Sequence, residues 1–251
     1  MGVSMEQIEI LVKSSMDGSE QPSLFFEAAK KGRPLLVGLH TWSHNRFNQI
    51  DNMLPFAKKH DFNLLLPEFR GANLKGNPDH KKACGSEFVI SDIKDAIDYC
   101  VENLGVDKNN MFLLGASGGG QVALLTAAKY PELFVAVGAF VPVCDLVTWG
   151  SGYYKEQIIA CCGSEEEMLR RSPISYIDEI AKANVKIFHG KHDPVVPRSQ
   201  SLELYSKLCE KYPNAKVYLD IFDGGHEMDM VLAERWIISQ YKKLKIATVT
   251  G

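Results

Sequence analysis

The sequence predicts an α/β protein with a mostly parallel central sheet of about eight strands and helices on both faces. Short runs rich in leucine, isoleucine and valine alternate along the chain with longer amphipathic stretches. The runs are bounded by Gly, Pro, Asn or Asp, as is typical of buried parallel strands. One strand candidate leads through a glycine-rich turn into a helical pattern, which indicates a βα unit.

An antiparallel hairpin is expected to begin the sheet. Its strands occupy residues 8–12 and 24–26, and Met16-Asp17-Gly18-Ser19 between them contains the Asp-Gly turn signal. The buried strand candidates that follow are Leu35–Leu39, Asn63–Leu66, Met111–Gly115, Val135–Phe140, Val185–His189 and Val217–Phe222.

The clearest helical pattern covers Ser91–Leu104. Apolar residues there recur at helical spacing, and Asp92, Asp95 and Asp98 are expected on the opposite, polar face. This helix should therefore cover one face of the sheet.

The composition favours one globular domain over residues 1–251. The hydrophobic share is 45%, and 28 basic against 31 acidic residues give a formal charge of −3. Such a balance offers no strong field for nucleic acid or a membrane, so a small neutral or modestly polar substrate fits better. A homo-oligomer stays open.

The amino terminus has no basic stretch followed by an apolar run, and no segment approaches the roughly 20 apolar residues of a membrane span. We therefore expect a cytoplasmic protein. The six cysteines lack a CxxC spacing and should be reduced and mostly buried. Cys161-Cys162 has no histidine or carboxylate partner at ligand spacing, so we expect neither a metal nor a cofactor.

Residues 146–183 interrupt the alternation of strands and helices. This segment holds Trp149, Tyr153 and Tyr154, together with glycines and an acidic run. We interpret it as a cap or lid insertion over the carboxyl edge of the sheet, with the three aromatic residues in substrate binding. The alternative is an ordinary crossover whose aromatic residues pack in the core.

The strand candidate Met111–Gly115 continues into Gly115-Ala116-Ser117-Gly118-Gly119, a G-x-S-x-G sequence followed by a helical pattern. In that context the serine lies on a sharp strand-to-helix turn with its hydroxyl exposed. The helix amino terminus then faces the negative charge that develops in acyl transfer. A turn that binds phosphate is the alternative, but G-x-x-x-x-G-K-[ST] is absent.

A serine nucleophile needs a histidine to accept its proton and an acid to orient that histidine. Asp193 follows the strand candidate that ends at His189, and His226 follows the last one after Gly224-Gly225. Both should lie at the same sheet edge as Ser117, because parallel strands end there together. Asp145 and Asp223 are the alternative acids.

An oxyanion hole requires backbone donors near the nucleophile. The N–H of Gly118 is one candidate, and the second should come from the loop after Leu35–Leu39. We assign it to Trp42, with Thr41 in reserve; the alternative is that Trp42 is only a packed aromatic residue.

Together these residues resemble the α/β-hydrolase superfamily across nearly the whole chain. Within it, the sequences Pro67-Glu68-Phe69-Arg70-Gly71, Gly85-Ser86-Glu87 and Gly115–Gly120 resemble a stand-alone prolyl oligopeptidase-type catalytic domain. Peptidases of that family carry a β-propeller, for which this chain has no room, and their usual His-Gly is here His40-Thr41. The resemblance implies an esterase-like serine hydrolase. A peptidase acting on short peptides, or a non-catalytic ligand-binding module, are the alternatives.

Overall fold

A central sheet organises the structure. A computed structural model describes residues 5–150 and 154–250, and within them eight strands form one sheet in the order β1-β2-β4-β3-β5-β6-β7-β8. The strands are β1 (Gln7–Lys13), β2 (Glu20–Phe26), β3 (Leu35–Leu39), β4 (Asn63–Pro67), β5 (Met111–Ala116), β6 (Ala136–Phe140), β7 (Val185–Gly190) and β8 (Val217–Phe222). Strand β2 is antiparallel to β1 and β4, and the remaining neighbours are parallel. The predicted fold class is confirmed.

Helices cover both faces of this sheet. They are α1 (Ile50–His60), α2 (Glu87–Asn103), α3 (Gly118–Lys129), α4 (Leu146–Trp149), α5 (Lys155–Cys162), α6 (Glu165–Arg170), α7 (Ile177–Ile180), α8 (Ser199–Lys211) and α9 (Met230–Thr250). Helices α2, α3 and α8 share one buried cluster with the sheet, and α1 and α9 share the other. The four short helices α4 to α7 lie in the segment between β6 and β7.

Strand β3 shows why the strands read as continuous apolar runs. Leu35, Val37 and Leu39 belong to one core cluster, and Leu36 belongs to the cluster on the opposite face. Successive side chains in a strand point to opposite faces, so a strand covered on both sides must be apolar throughout.

The charge pattern of α2 differs from the prediction. Asp92 was expected on the polar face, but it is only 3% exposed. Its carboxylate pairs with the fully buried guanidinium of Arg70 at 2.5 Å, and Arg70 also pairs with Asp17 of the β1–β2 turn at 2.8 Å. A buried ion pair does not follow the helical period. The spacing of the aspartates therefore placed Asp92 on the wrong face of α2.

The remaining general expectations concern thiols and membrane spans. All six cysteines are free thiols, five of them buried and Cys209 exposed. No helix in residues 5–150 and 154–250 combines the length and apolar character that crossing a bilayer requires.

Candidate active site

Three strand ends bring the site together. Ser117 follows β5, Asp193 lies three residues after β7, and His226 lies four residues after β8. These strands belong to the parallel run β5-β6-β7-β8, so their carboxyl ends meet at one edge. The structure therefore places the three predicted residues where their side chains can meet.

The nucleophile turn is as sharp as its glycines suggest. Ser117 has φ 57° and ψ −121°, a conformation that costs a non-glycine residue about 1–3 kcal/mol. A Cβ atom at Gly115 would lie 2.1 Å from the carbonyl oxygen of Gly119, which only glycine avoids. The Ser117 N–H donates to the Phe140 carbonyl at 2.9 Å, which fixes the turn against β6.

A chain of two hydrogen bonds connects the three side chains. Ser117 Oγ lies 2.9 Å from Nε2 of His226, and Nδ1 of His226 lies 2.8 Å from Oδ2 of Asp193. A carboxylate can only accept, so Nδ1 carries the proton and Nε2 offers its lone pair to the serine hydroxyl. This tautomer is the one a general base requires.

Backbone groups hold the carboxylate of Asp193. Its Oδ1 accepts the N–H groups of Val195 at 2.8 Å and Val196 at 2.9 Å, and the side chain is fully buried. Burial opposes the charged form, but the hydrogen bonds from His226 and the two backbone groups outweigh it and lower the pKa of Asp193. The acid is therefore an oriented carboxylate.

A second histidine braces this loop. His189 is fully buried, and its Nε2 donates to the Val196 carbonyl at 2.9 Å while Nδ1 accepts the Ser201 hydroxyl at 2.7 Å. These partners suit a neutral ring, and burial lowers the pKa of His189. His189 thus fixes the carbonyl of the same residue whose N–H holds Asp193.

The two alternative acids are engaged elsewhere. Asp145 caps α4, accepting the N–H of Val147 at 2.9 Å. Asp223 pairs at the surface with His192 at 3.1 Å. Among the described residues, Asp193 is the carboxylate bonded to His226.

The loop after β3 presents the second predicted oxyanion donor. The N–H of Thr41 donates to Oδ1 of Asn48 at 3.2 Å, so it is already used. Within residues 5–150 and 154–250, the backbone N–H groups of Trp42 and Gly118 have no hydrogen-bond acceptor. The indole of Trp42 packs directly on Gly118, where a Cβ atom would lie 1.8 Å from Cδ1. This geometry favours the backbone N–H of Trp42 over that of Thr41 as the candidate second oxyanion donor.

An aromatic wall, formed by Trp42, Trp149 and Tyr154, extends from Gly118. The ring centroids of Trp42 and Trp149 are 5.1 Å apart, and Trp149 stacks on Tyr154 at 5.1 Å. The Trp149 indole donates to the Val195 carbonyl at 3.0 Å, so the wall also contacts the acid loop. Tyr153 lies outside the described residues.

The comparison with known proteins identifies the family. Residues 48–244 match the prolyl oligopeptidase family. The chain belongs to this family. The acylamino-acid-releasing enzyme of Rattus norvegicus is 28% identical over 225 residues, which cover 80% of this chain and 29% of that protein. Acylamino-acid-releasing enzyme 2 of Oryza sativa is 25% identical over 236 residues, covering 85% and 30%. The chain thus spans less than a third of the length of these relatives.

Solved structures confirm the α/β-hydrolase fold. The acylaminoacyl peptidase of Pyrococcus horikoshii superimposes with a TM-score of 0.72 at 18% identity, covering 89% of this chain and 38% of that chain. An esterase from Pyrococcus furiosus gives 0.71 at 17% identity, covering 96% and 91%. The prolyl oligopeptidase family, to which the chain belongs, is a family of serine hydrolases.

In this prolyl oligopeptidase family member, several residues that were not predicted from the sequence help to position the site. Val195 and Val196 anchor Asp193 through their N–H groups, and aspartate followed by such a turn is a recognisable Asx pattern. Gln121 accepts the Trp42 indole N–H at 2.8 Å. No local pattern indicates this second contact, because its partners are 79 residues apart.

Proposed function

We propose that the protein hydrolyses carboxylic esters through an acyl-enzyme on Ser117, with His226 as general base and Asp193 as the acid that orients it. The proposal rests on two hydrogen bonds. Ser117 Oγ lies 2.9 Å from Nε2 of His226, and Nδ1 of His226 lies 2.8 Å from the buried carboxylate of Asp193. The hydroxyl, imidazole and carboxylate have the order and polarity that nucleophilic acyl transfer needs.

The chemistry follows from these positions. Ser117 Oγ attacks the ester carbonyl while its proton passes to Nε2 of His226, and the Trp42 and Gly118 N–H groups bind the oxyanion. Asp193 stabilises the imidazolium. When the tetrahedral intermediate collapses, the C–O bond to the alcohol breaks and Nε2–H protonates the departing oxygen. Water then repeats the sequence on the acyl-enzyme and releases the carboxylic acid.

The aromatic wall supports an uncharged, apolar substrate group. Trp42, Trp149 and Tyr154 belong to one apolar cluster, whose other members are Cys84, Val143, Leu146, Ile158, Cys161, Cys162, Val195, Val196 and Met168. The nearby Arg171 guanidinium already donates to the carbonyls of Ala83 and Lys81 and pairs with Glu167. It is therefore not free to bind a substrate carboxylate. We propose Trp149 and Tyr154, with Tyr153, as substrate-binding residues.

Cleavage of short peptides is the second candidate, and the similarity to acylamino-acid-releasing enzymes supports it. The same three side chains would serve, with His226 protonating an amine instead of an alcohol. Ester and peptide cleavage thus differ in the leaving group that the site accepts.

Two experiments separate these functions. A fluorophosphonate probe should label the wild type at Ser117 and leave Ser117→Ala unlabelled; an unlabelled wild type would contradict the serine mechanism. A methyl ester and an anilide of one N-acetylated amino acid then share the acyl group and the deacylation step. Ester hydrolysis with negligible anilide cleavage is expected. Comparable kcat/KM for both would instead assign a peptidase, with Ser117→Ala measuring any contaminating activity.

A further inference from the structure

The Trp42 side chain needs a hydrogen-bond acceptor for its indole N–H. Trp42 is 7% exposed, and a buried indole N–H without an acceptor is unfavourable. The acceptor is Oε1 of Gln121 at 2.8 Å. This hydrogen bond joins the loop after β3 to the first turn of α3, four residues beyond Ser117.

The amide of Gln121 can have only one orientation. It is fully buried, and its Nε2 donates to the Arg171 carbonyl at 2.6 Å while Oε1 faces Trp42. An indole N–H can only donate and a carbonyl can only accept, so a flipped amide would lose both hydrogen bonds. Glutamine satisfies both partners at once.

The carbonyl that receives Gln121 is itself held. Arg171 is 6% exposed, and its guanidinium donates to the carbonyls of Ala83 at 2.9 Å and Lys81 at 3.2 Å. It also pairs with Glu167 at 2.8 Å. The Nε2 group of Gln121 is thus hydrogen-bonded to Arg171, a residue of the 146–183 segment that is itself held in place.

The Trp42 indole is consequently confined by two residues of α3. Gly118 lies against its ring, where a Cβ atom would come within 1.8 Å of Cδ1, and Gln121 binds its N–H. We propose that Gln121 is a positioning residue, which holds Trp42 so that the Trp42 backbone N–H faces the oxyanion. This inference rests on the proposed function, because it concerns the oxyanion hole of the same reaction.

Gln121→Leu tests the proposal. Removal of one oxyanion donor costs about 10²–10³ in kcat, so a displaced donor should lower kcat about 10- to 100-fold with little change in KM. Affinity for a trifluoromethyl ketone, which forms a tetrahedral adduct on the serine, should fall by a similar factor. Gln240→Leu is the matched control: Gln240 is a buried amide bonded to Asn184, and its loss should lower the Tm without changing kcat.

Gln121→Glu adds a readout that a merely structural role would not move. A protonated carboxyl can accept from the Trp42 indole and donate to the Arg171 carbonyl, whereas a carboxylate cannot donate. The ratio of variant to wild-type kcat should therefore rise as the pH falls. A ratio independent of pH, at a value near one, would contradict the proposal.

The inference is overturned if Gln121→Leu keeps the wild-type kcat and ketone affinity, or if Gln240→Leu loses as much. Should Gln121→Leu fail to fold, Trp42→Phe keeps an aromatic side chain but replaces the indole and removes its N–H, and the same two measurements decide. Fluorophosphonate labelling of the wild type separates this failure from that of the proposed function. A labelled wild type with an unaffected Gln121→Leu refutes the positioning role alone, and an unlabelled wild type refutes both.

Discussion

Asp193→Asn should abolish most of the activity because the structure dictates how the new amide must lie. Oδ1 of Asp193 accepts two backbone N–H groups, from Val195 and Val196, so an amide nitrogen cannot take its place. The NH₂ group would then occupy the Oδ2 position, 2.8 Å from Nδ1 of His226. To accept from it, the imidazole must move its proton to Nε2, which then faces Ser117 with no lone pair.

The expected loss is about 10⁴ in kcat, or roughly 5 kcal/mol of transition-state stabilisation, as for the equivalent substitution in a serine protease. Steady-state ester hydrolysis, with circular dichroism to show that folding is retained, measures it. Asp145→Asn is the matched control, because Asp145 caps α4 and should leave kcat nearly unchanged. A crippled Asp145→Asn beside a normal Asp193→Asn would refute the assignment of the acid.

Three further outcomes are expected. Ser117→Ala should abolish acyl transfer with a nearly unchanged Tm by calorimetry, because alanine keeps the Cβ atom and the same backbone strain; residual turnover at the wild-type rate would contradict the nucleophile. Gly118→Ala should cost about 1–3 kcal/mol in urea unfolding and lower kcat, because its Cβ atom overlaps Trp42. Gly225→Ala has nothing within 4 Å of its Cβ atom and should cost little, so equal losses would argue against the clash. The lowered pKa of Asp193 stabilises the fold above about pH 4, and this contribution disappears as the pH falls further through the folded-state value. Wild type and Asp193→Asn should therefore converge in acid, as unfolding curves at several pH values will show.

The inner strands of the sheet could be predicted from the sequence because they are buried on both faces. The edge strands β1 and β8 are partly exposed, so the prediction of Val217–Phe222 as a buried strand is wrong in its burial. Strand β5 and its parallel neighbours appear as continuous apolar runs, and the chain order of serine, acid and histidine follows from the order of the strands. Element ends were less predictable. Helix α2 begins at Glu87, four residues before the predicted start at Ser91, and its first turn already contributes buried Val89 and Ile90 to the apolar face.

The contacts that position the site could not be read from local patterns. The pairs Trp42 with Gln121 and Gln121 with Arg171 are 79 and 50 residues apart. Each depends on two loops meeting after the sheet has formed, and neither has a sequence period. The buried pair of Arg70 and Asp92 was misassigned for the same reason. Hydrogen bonds that hold a loop in place leave no periodic pattern of apolar residues, so the sequence alone does not reveal them.

The turn that begins at Ser117 carries most of the proposed chemistry, and its strained backbone must be held by close contacts around it. From Ser117 to Gln121 the chain supplies the nucleophile, one oxyanion donor and the anchor of the Trp42 loop. The positive φ of Ser117 is unfavourable by itself, so neighbouring contacts must make the alternatives less favourable still. The Phe140 carbonyl accepts the Ser117 N–H, and the tight approach of Gly119 to the Leu39 carbonyl leaves no room for the turn to relax. A rigid turn suits oxyanion binding, because donors that are already in place need no reorganisation when the charge develops.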